Sequence, residues 1–191
     1  MPLSAPQAVR QPLHRRTIEI RGYKREDGLY DIEGHLTDVK DFDLQVSGGY
    51  RAAGEPIHSM WLRITIDKTL TIMDAEAFTE AMPYAGFCDQ IGPAYKKLIG
   101  LAIRPGFNHR VQDLLGGIQG CTHITELIGA LATTAFQTMA GQGHQDPAAQ
   151  PYQLDRCHAL ARDAPVVARY YPKWYIGHAP IQGKSNESEN H

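Results

Sequence analysis

The apolar residues of this chain keep one period up to Asp74 and another after it, and that single change constrains the fold more than any other feature. Before it the spacing is two. Thr17-Ile18-Glu19-Ile20-Arg21 alternates, and so does Leu29-Tyr30-Asp31-Ile32-Glu33-Gly34-His35-Leu36. Between them lies Lys24-Arg25-Glu26-Asp27-Gly28, whose Asp-Gly is turn chemistry, so the two runs form a predicted hairpin. Residues 58–66 make the cleanest strand, with Met60, Leu62, Ile64 and Ile66 on one face and Ser59, Trp61, Arg63 and Thr65 on the other. Asp67-Lys68 turns that strand into a further hairpin arm, Leu70-Thr71-Ile72. Residues 40–56, with Gly48, Gly49, Gly54 and Pro56, read as a connecting loop that can order over a ligand. This half of the chain predicts an antiparallel sheet of about four strands, a size that buries one face.

After Asp74 the spacing becomes helical. Asp74-Ala75-Glu76-Ala77-Phe78 predicts a short helix ended by Pro83, and Phe87, Ile91, Tyr95, Leu98 and Ile99 predict a second, with Gly92-Pro93 near its start. Residues 107–115 predict a third. The fourth and longest spans 122–139, where Ile124, Leu127, Ile128, Leu131, Ala135, Phe136 and Met139 recur at i, i+3, i+4 and i+7. Thr122 is the predicted N-cap and Gly141 the C-terminal stop. Residues 154–162 carry a last helical segment. Strands first and helices after them give an α+β class, an N-terminal sheet covered on one face by the C-terminal helices, not a βαβ order. The division reads as a flexible arm over 1–14, a single α+β domain over 15–179 and a disordered tail over 180–191, which is poor in apolar residues.

The chemistry concentrates in the stretch 100–141. There a glycine-spaced loop, Gly116-Gly117-Ile118-Gln119-Gly120, feeds Cys121-Thr122-His123 into the longest helix. A thiol and an imidazole two residues apart, at a helix start whose amides and dipole favour negative charge, suit a thiolate acting as nucleophile or as metal ligand. Cys121, His123 and Glu126, one turn further on, are the catalytic candidates. The metal candidates are Cys88, Cys121 and His123, joined by His58 or Cys157, because thiolate and imidazole donors suit zinc or iron. The bland alternative is that the cysteines are small buried apolar residues. Gly116, Gly117 and Gly120 are candidates for cradling an anion at the helix start, although the loop lacks a P-loop's Gly-Lys-Ser/Thr and follows no parallel strand; tight turning against the sheet is the simpler account. Asp31, Glu33 and Asp38 read as solvated charge on the hairpin, with acid/base catalysis as the alternative.

Composition excludes several classes. A chain of 191 residues with 42% hydrophobic content can bury a real core. A formal charge of −2 offers nothing that would hold nucleic acid. No run approaches the ~18 apolar residues of a membrane span, and the first residues lack the apolar core of a secretory signal. Three widely spaced cysteines make no disulfide framework and fit a reducing compartment, so the expectation is a soluble cytoplasmic domain. A small-molecule substrate fits this frame, and a homo-oligomer remains open.

The strings Arg15-Arg16-Thr17-Ile18-Glu19-Ile20-Arg21-Gly22-Tyr23, Asp27-Gly28-Leu29-Tyr30-Asp31-Ile32-Glu33-Gly34-His35-Leu36-Thr37-Asp38-Val39-Lys40, Ile57-His58-Ser59-Met60-Trp61-Leu62-Arg63-Ile64-Thr65-Ile66-Asp67 and Gly116-Gly117-Ile118-Gln119-Gly120-Cys121-Thr122-His123-Ile124-Thr125-Glu126-Leu127-Ile128 together resemble a bacterial family catalogued as domain of unknown function 2889. The resemblance extends over residues 15–175 and places Cys88 and Cys157-His158-Ala159-Leu160 within the family's pattern, but it implies no activity. The order of sheet, helices and helix-start cysteine is also similar to iron–sulfur scaffold proteins, whose own cysteine pattern this chain lacks. Three functional classes follow from the residues: a small metal-dependent enzyme of hydrolase or lyase type, holding zinc or iron; a non-catalytic metal or iron–sulfur carrier or accessory subunit; and a metal-free enzyme with Cys121 as nucleophile.

Overall fold

Leu62 and Ile64 lie fully buried on the strand around which the first part of the chain is assembled. That strand, β5 (Pro56–Ile66), pairs antiparallel with β2 (Tyr30–Lys40) on one side and β6 (Ile72–Ala81) on the other. β1 (His14–Lys24) completes a four-stranded sheet in the order β1-β2-β5-β6. β3 (Leu44–Val46) and β4 (Gly49–Arg51) form a small separate hairpin inside the 40–56 connection. This computed structural model describes residues 3–141 and 149–177. The chain divides into two units, Met1–Gln142 and Gly143–His191.

The two faces of the sheet differ as the alternation demands. Ile32 and Leu36 of β2 and Met60, Leu62, Ile64 and Ile66 of β5 point inward and are buried, each contributing about 1.5–3 kcal/mol. The helix α2 (Thr122–Met139) closes that face, lying against β2, β1 and β5, and α1 (Phe107–Leu115) packs on α2. α2 comes so near β2 that a Cβ on Gly34 would stand 2.7 Å from Leu131 Cδ1. The α+β reading and the helix spans 107–115 and 122–139 hold, and Gly141 stops α2 with a positive φ of 76°.

Three local expectations are corrected. Residues 74–78 are strand, not helix: Asp-Ala-Glu-Ala has high helix propensity, but β5 needs a partner, and Ala75 pairs with Ile64 and Ala77 with Leu62. The predicted second helix is a 3₁₀ run, Cys88–Leu98, with Pro93 inside it and Gly92 held close to Ala77 O; Tyr95 and Leu98 are its buried residues. Thr122 is the first helical residue of α2, and Cys121 before it is the N-cap.

In the second unit the 154–162 segment yields only a 3₁₀ turn, His158–Leu160, followed by α3 (Pro165–Tyr170) and another turn, Pro172–Trp174. Asp155 ties this region together, accepting from the Arg162 amide at 2.9 Å and from Arg162 Nε at 2.7 Å. The tail expected over 180–191 lies outside the described residues.

Candidate metal centre

Sheet register, not sequence proximity, builds the site. β1 places Arg16 opposite Asp38 of β2, and β2 places Asp38 opposite His58 of β5. Opposed residues share a face, so a guanidinium, a carboxylate and an imidazole stand in one row across three strands. Asp38 has the parity of Ile32 and Leu36, which makes the row part of the inner face, and the β2–β5 register shifts immediately after it. The start of α2 lies over the same end of the sheet and adds Cys121, His123 and Glu126.

Asp38 is the hub. Only 2% exposed, it accepts from Arg16 Nε at Oδ1 and from Arg16 Nη2 at Oδ2, both at 2.8 Å. His14 Nε2 lies 3.2 Å from Oδ1, His58 Nδ1 3.1 Å from Oδ2, and His123 Nε2 3.8 Å from Oδ2. The His58 and His123 rings lie with centroids 3.8 Å apart, tilted by 32°. Arg16 also donates through Nη1 to Glu126, so one guanidinium joins the sheet to the first turn of α2. Burial lifts the Asp38 carboxyl, but Arg16 and then His58 outweigh it and hold the group below the ordinary carboxylate value. Burial and the neighbouring His123 push His58 down against the pull of Asp38, which favours the neutral imidazole that a metal requires.

Among the described residues, Asp38, His58 and His123 form a group able to hold a metal ion, their ligating atoms all within 4.8 Å of one another. Two ligands at tetrahedral zinc stand about 3.3 Å apart, and the two Asp38–imidazole distances, 3.1 and 3.8 Å, bracket that value. Each carboxylate oxygen has two acceptor positions, and Arg16 takes one on each. The remaining capacity of Oδ2 faces the two imidazoles. The donor set therefore fits a divalent ion without loss of the Arg16 bonds.

His58, His123 and Cys121 do come together, as the sequence suggested, but Cys121 stands beside the trio. Its Sγ lies 3.9 Å from His123 Nδ1 and 3.8 Å from Met60 Sδ. Burial lifts this thiol; His123 and the amides of Ile124 and His123 outweigh burial and leave it below the usual thiol value. Cys88 is half-buried at the start of the 3₁₀ run, its amide bonded to Tyr84 O at 3.0 Å, and is not one of the trio. Cys157 is exposed, in the second unit. Glu126 holds Arg16. Gly116, Gly117 and Gly120 shape the turn before α2: a Cβ on Gly120 would stand 2.4 Å from Leu115 O, and Gly117 has a φ of 56°. Asp38 is not solvated charge, as its sequence context suggested, but the most buried member of the site. Parity with Tyr30, Ile32 and Leu36 is the signal that places it inward.

The matched family model, described as "Protein of unknown function (DUF2889)", spans residues 14–137. The chain belongs to this family. The DUF2889 segment contains every residue of the site from His14 to Glu126 and ends before Cys157, short of the 175 to which the sequence resemblance extended. No curated protein and no solved structure matches the chain. Among the described residues, no helix is long and apolar enough to cross a membrane.

Fully buried Tyr95 fixes the Cys121 backbone: its hydroxyl donates to Cys121 O at 3.0 Å, receives from Cys121 N–H at 3.0 Å, and lies 2.9 Å from Thr125 Oγ1. Tyr95→Phe should leave the Cys121 carbonyl and amide without these partners and cost about 1–3 kcal/mol. Urea unfolding checks this; an unchanged midpoint would mean that the N-cap backbone has other partners.

Proposed function

We propose that the chain is a small metal-dependent enzyme in which Asp38, His58 and His123 hold one divalent ion, zinc or iron. The observation that carries this reading is the convergence, within 4.8 Å, of ligating atoms from β2, β5 and α2. Two imidazoles and one carboxylate leave room for substrate at a bound ion, which would polarise a carbonyl or activate water for hydrolase- or lyase-type chemistry on a small organic molecule. The chain's own residues supply the rest. Arg16 fixes both oxygens of Asp38, and Glu126, 47% exposed at the rim, is a carboxylate able to take or give a proton there. Metal analysis of full-length protein purified without a His-tag should find one zinc or iron per chain. Absence of metal, both as purified and after incubation with each ion, would overturn the reading.

One observation favours a second reading. Cys121 Sγ faces His123 Nδ1, and Asp38 lies behind Nε2 at 3.8 Å, the order nucleophile, base and orienting acid. In that case metal-free protein should be alkylated at Cys121 at neutral pH far faster than at Cys88, and His123→Ala should remove the difference. Equal rates at the two thiols would dismiss it.

A further inference from the structure

The two nitrogens of His123 face different partners. Nε2 is directed to Asp38 Oδ2 at 3.8 Å, beside His58, while Nδ1 is directed to Cys121 Sγ at 3.9 Å. An imidazole bound to a metal through one nitrogen almost always gives the proton on its other nitrogen to an acceptor, and that acceptor fixes the tautomer and the ring angle. We infer that Cys121 serves the metal centre from outside the coordination sphere: its sulfur accepts the Nδ1 proton of His123 and so keeps the Nε2 lone pair turned toward the ion. This rests on the reading of Asp38, His58 and His123 as ligands, and it removes Cys121 from the ligand set in which its residue type first places it.

The surroundings make the sulfur a fixed acceptor. Tyr95 clamps the Cys121 amide and carbonyl, and Gly120 brings the preceding turn against Leu115 O, so the backbone that carries the sulfur is fixed. Met60, on the inner face of β5, bounds the sulfur at 3.8 Å. Sulfur, imidazole and carboxylate thus lie in sequence, with the imidazole between the other two. A thiolate ligand would have to share the Asp38 side of the ring, and the sulfur lies on the Nδ1 side.

Cobalt(II) titration of metal-stripped, full-length protein tests the role, using wild type, Cys121→Ser, Cys121→Ala and His123→Ala. Wild type should bind one cobalt per chain and show no sulfur-to-cobalt charge-transfer band in the near ultraviolet. C121A should still bind one cobalt, about 10–100-fold more weakly. C121S should fall between, since the shorter C–O bond sets its acceptor oxygen further from His123 Nδ1 than the sulfur, and its metal-free unfolding midpoint should match wild type. A charge-transfer band in wild type that disappears in C121S would make Cys121 a ligand and overturn the inference while leaving the metal centre standing. Wild-type affinity in both cysteine variants would also overturn it. Failure of the underlying reading looks different: wild type takes up no cobalt, or H123A takes it up as wild type does, and the inference falls with it. If C121A does not fold, C121S decides alone.

Discussion

Arg16→Met should lower stability by about 3–5 kcal/mol at neutral pH, as the loss of one partner from a buried ion pair does. The reason is the asymmetry of the pair. Asp38 is 2% exposed and relies on Arg16 for a bond to each oxygen, whereas the Arg16 side chain is 31% exposed and also holds Glu126. Removing the guanidinium leaves a buried carboxylate with imidazoles as its remaining partners. Removing the carboxylate leaves a guanidinium with Glu126 and water. Asp38→Asn should therefore cost less than R16M. Arg16→Lys should fall between wild type and R16M, because one ammonium cannot hold both oxygens in a fork. Urea unfolding of the variants gives the order, and D38N costing as much as R16M would contradict it.

The same pair sets a pH dependence. Asp38 is held below the ordinary carboxylate value by Arg16 and His58, against burial. Its contribution to stability is therefore present above about pH 3.9, the unfolded carboxyl value, and is lost as pH falls through the folded value. In R16M that depression goes and burial lifts the carboxyl instead. The gap between wild type and R16M should be widest at neutral pH and should narrow in acid. A gap that is the same at pH 7 and at about pH 3 would show that Arg16 acts through packing, not through the Asp38 charge.

Much of this was legible in the sequence, and what was not has a physical reason. The period of two found β2 and β5, and the period of 3.6 found α1 and α2, because those elements bury one face and need that spacing; β1 keeps the period although only Ile20 is partly buried. The arm predicted at Leu70-Thr71-Ile72 leads into β6, but the strand runs on to Ala81 where a helix is predicted, because its solvent-side residues Asp74 and Glu76 alternate with alanines, a composition that suits a helix equally well; pairing with β5 decides it. Of the site, Cys121, His123 and His58 stood out as residue types. Arg16 and Asp38 did not, since an arginine and an aspartate in a charged hairpin look like solvated surface. Their juxtaposition comes from register: Arg16, Asp38 and His58 are far apart in sequence and become neighbours only when three strands align. Cys88 drew attention by chemistry alone, and chemistry carries no information on whether a turn or a sheet edge brings a thiol to the histidines.

Metal should stabilise the folded chain by an amount large enough to see in a simple melt. A ligand that binds only the native state at about 1,000 times its dissociation constant adds about 4 kcal/mol, which for a chain of this size raises the midpoint by about 8–16 °C. The geometry says which residues the gain depends on. His58 comes from β5, Asp38 from β2 and His123 from α2, so an ion held by all three ties the sheet to the helix that covers it. In the double variant His58→Ala, His123→Ala one carboxylate remains, and the shift should vanish. Zinc also binds free cysteines and histidines of an unfolded chain, and the double variant, which keeps all three cysteines, corrects for that. Cys88→Ser should melt and shift as wild type does, since its thiol is not among the converging atoms. A melt shift that survives the double variant, or one that disappears in C88S, would move the metal away from the end of the sheet where Arg16, Asp38 and His58 align.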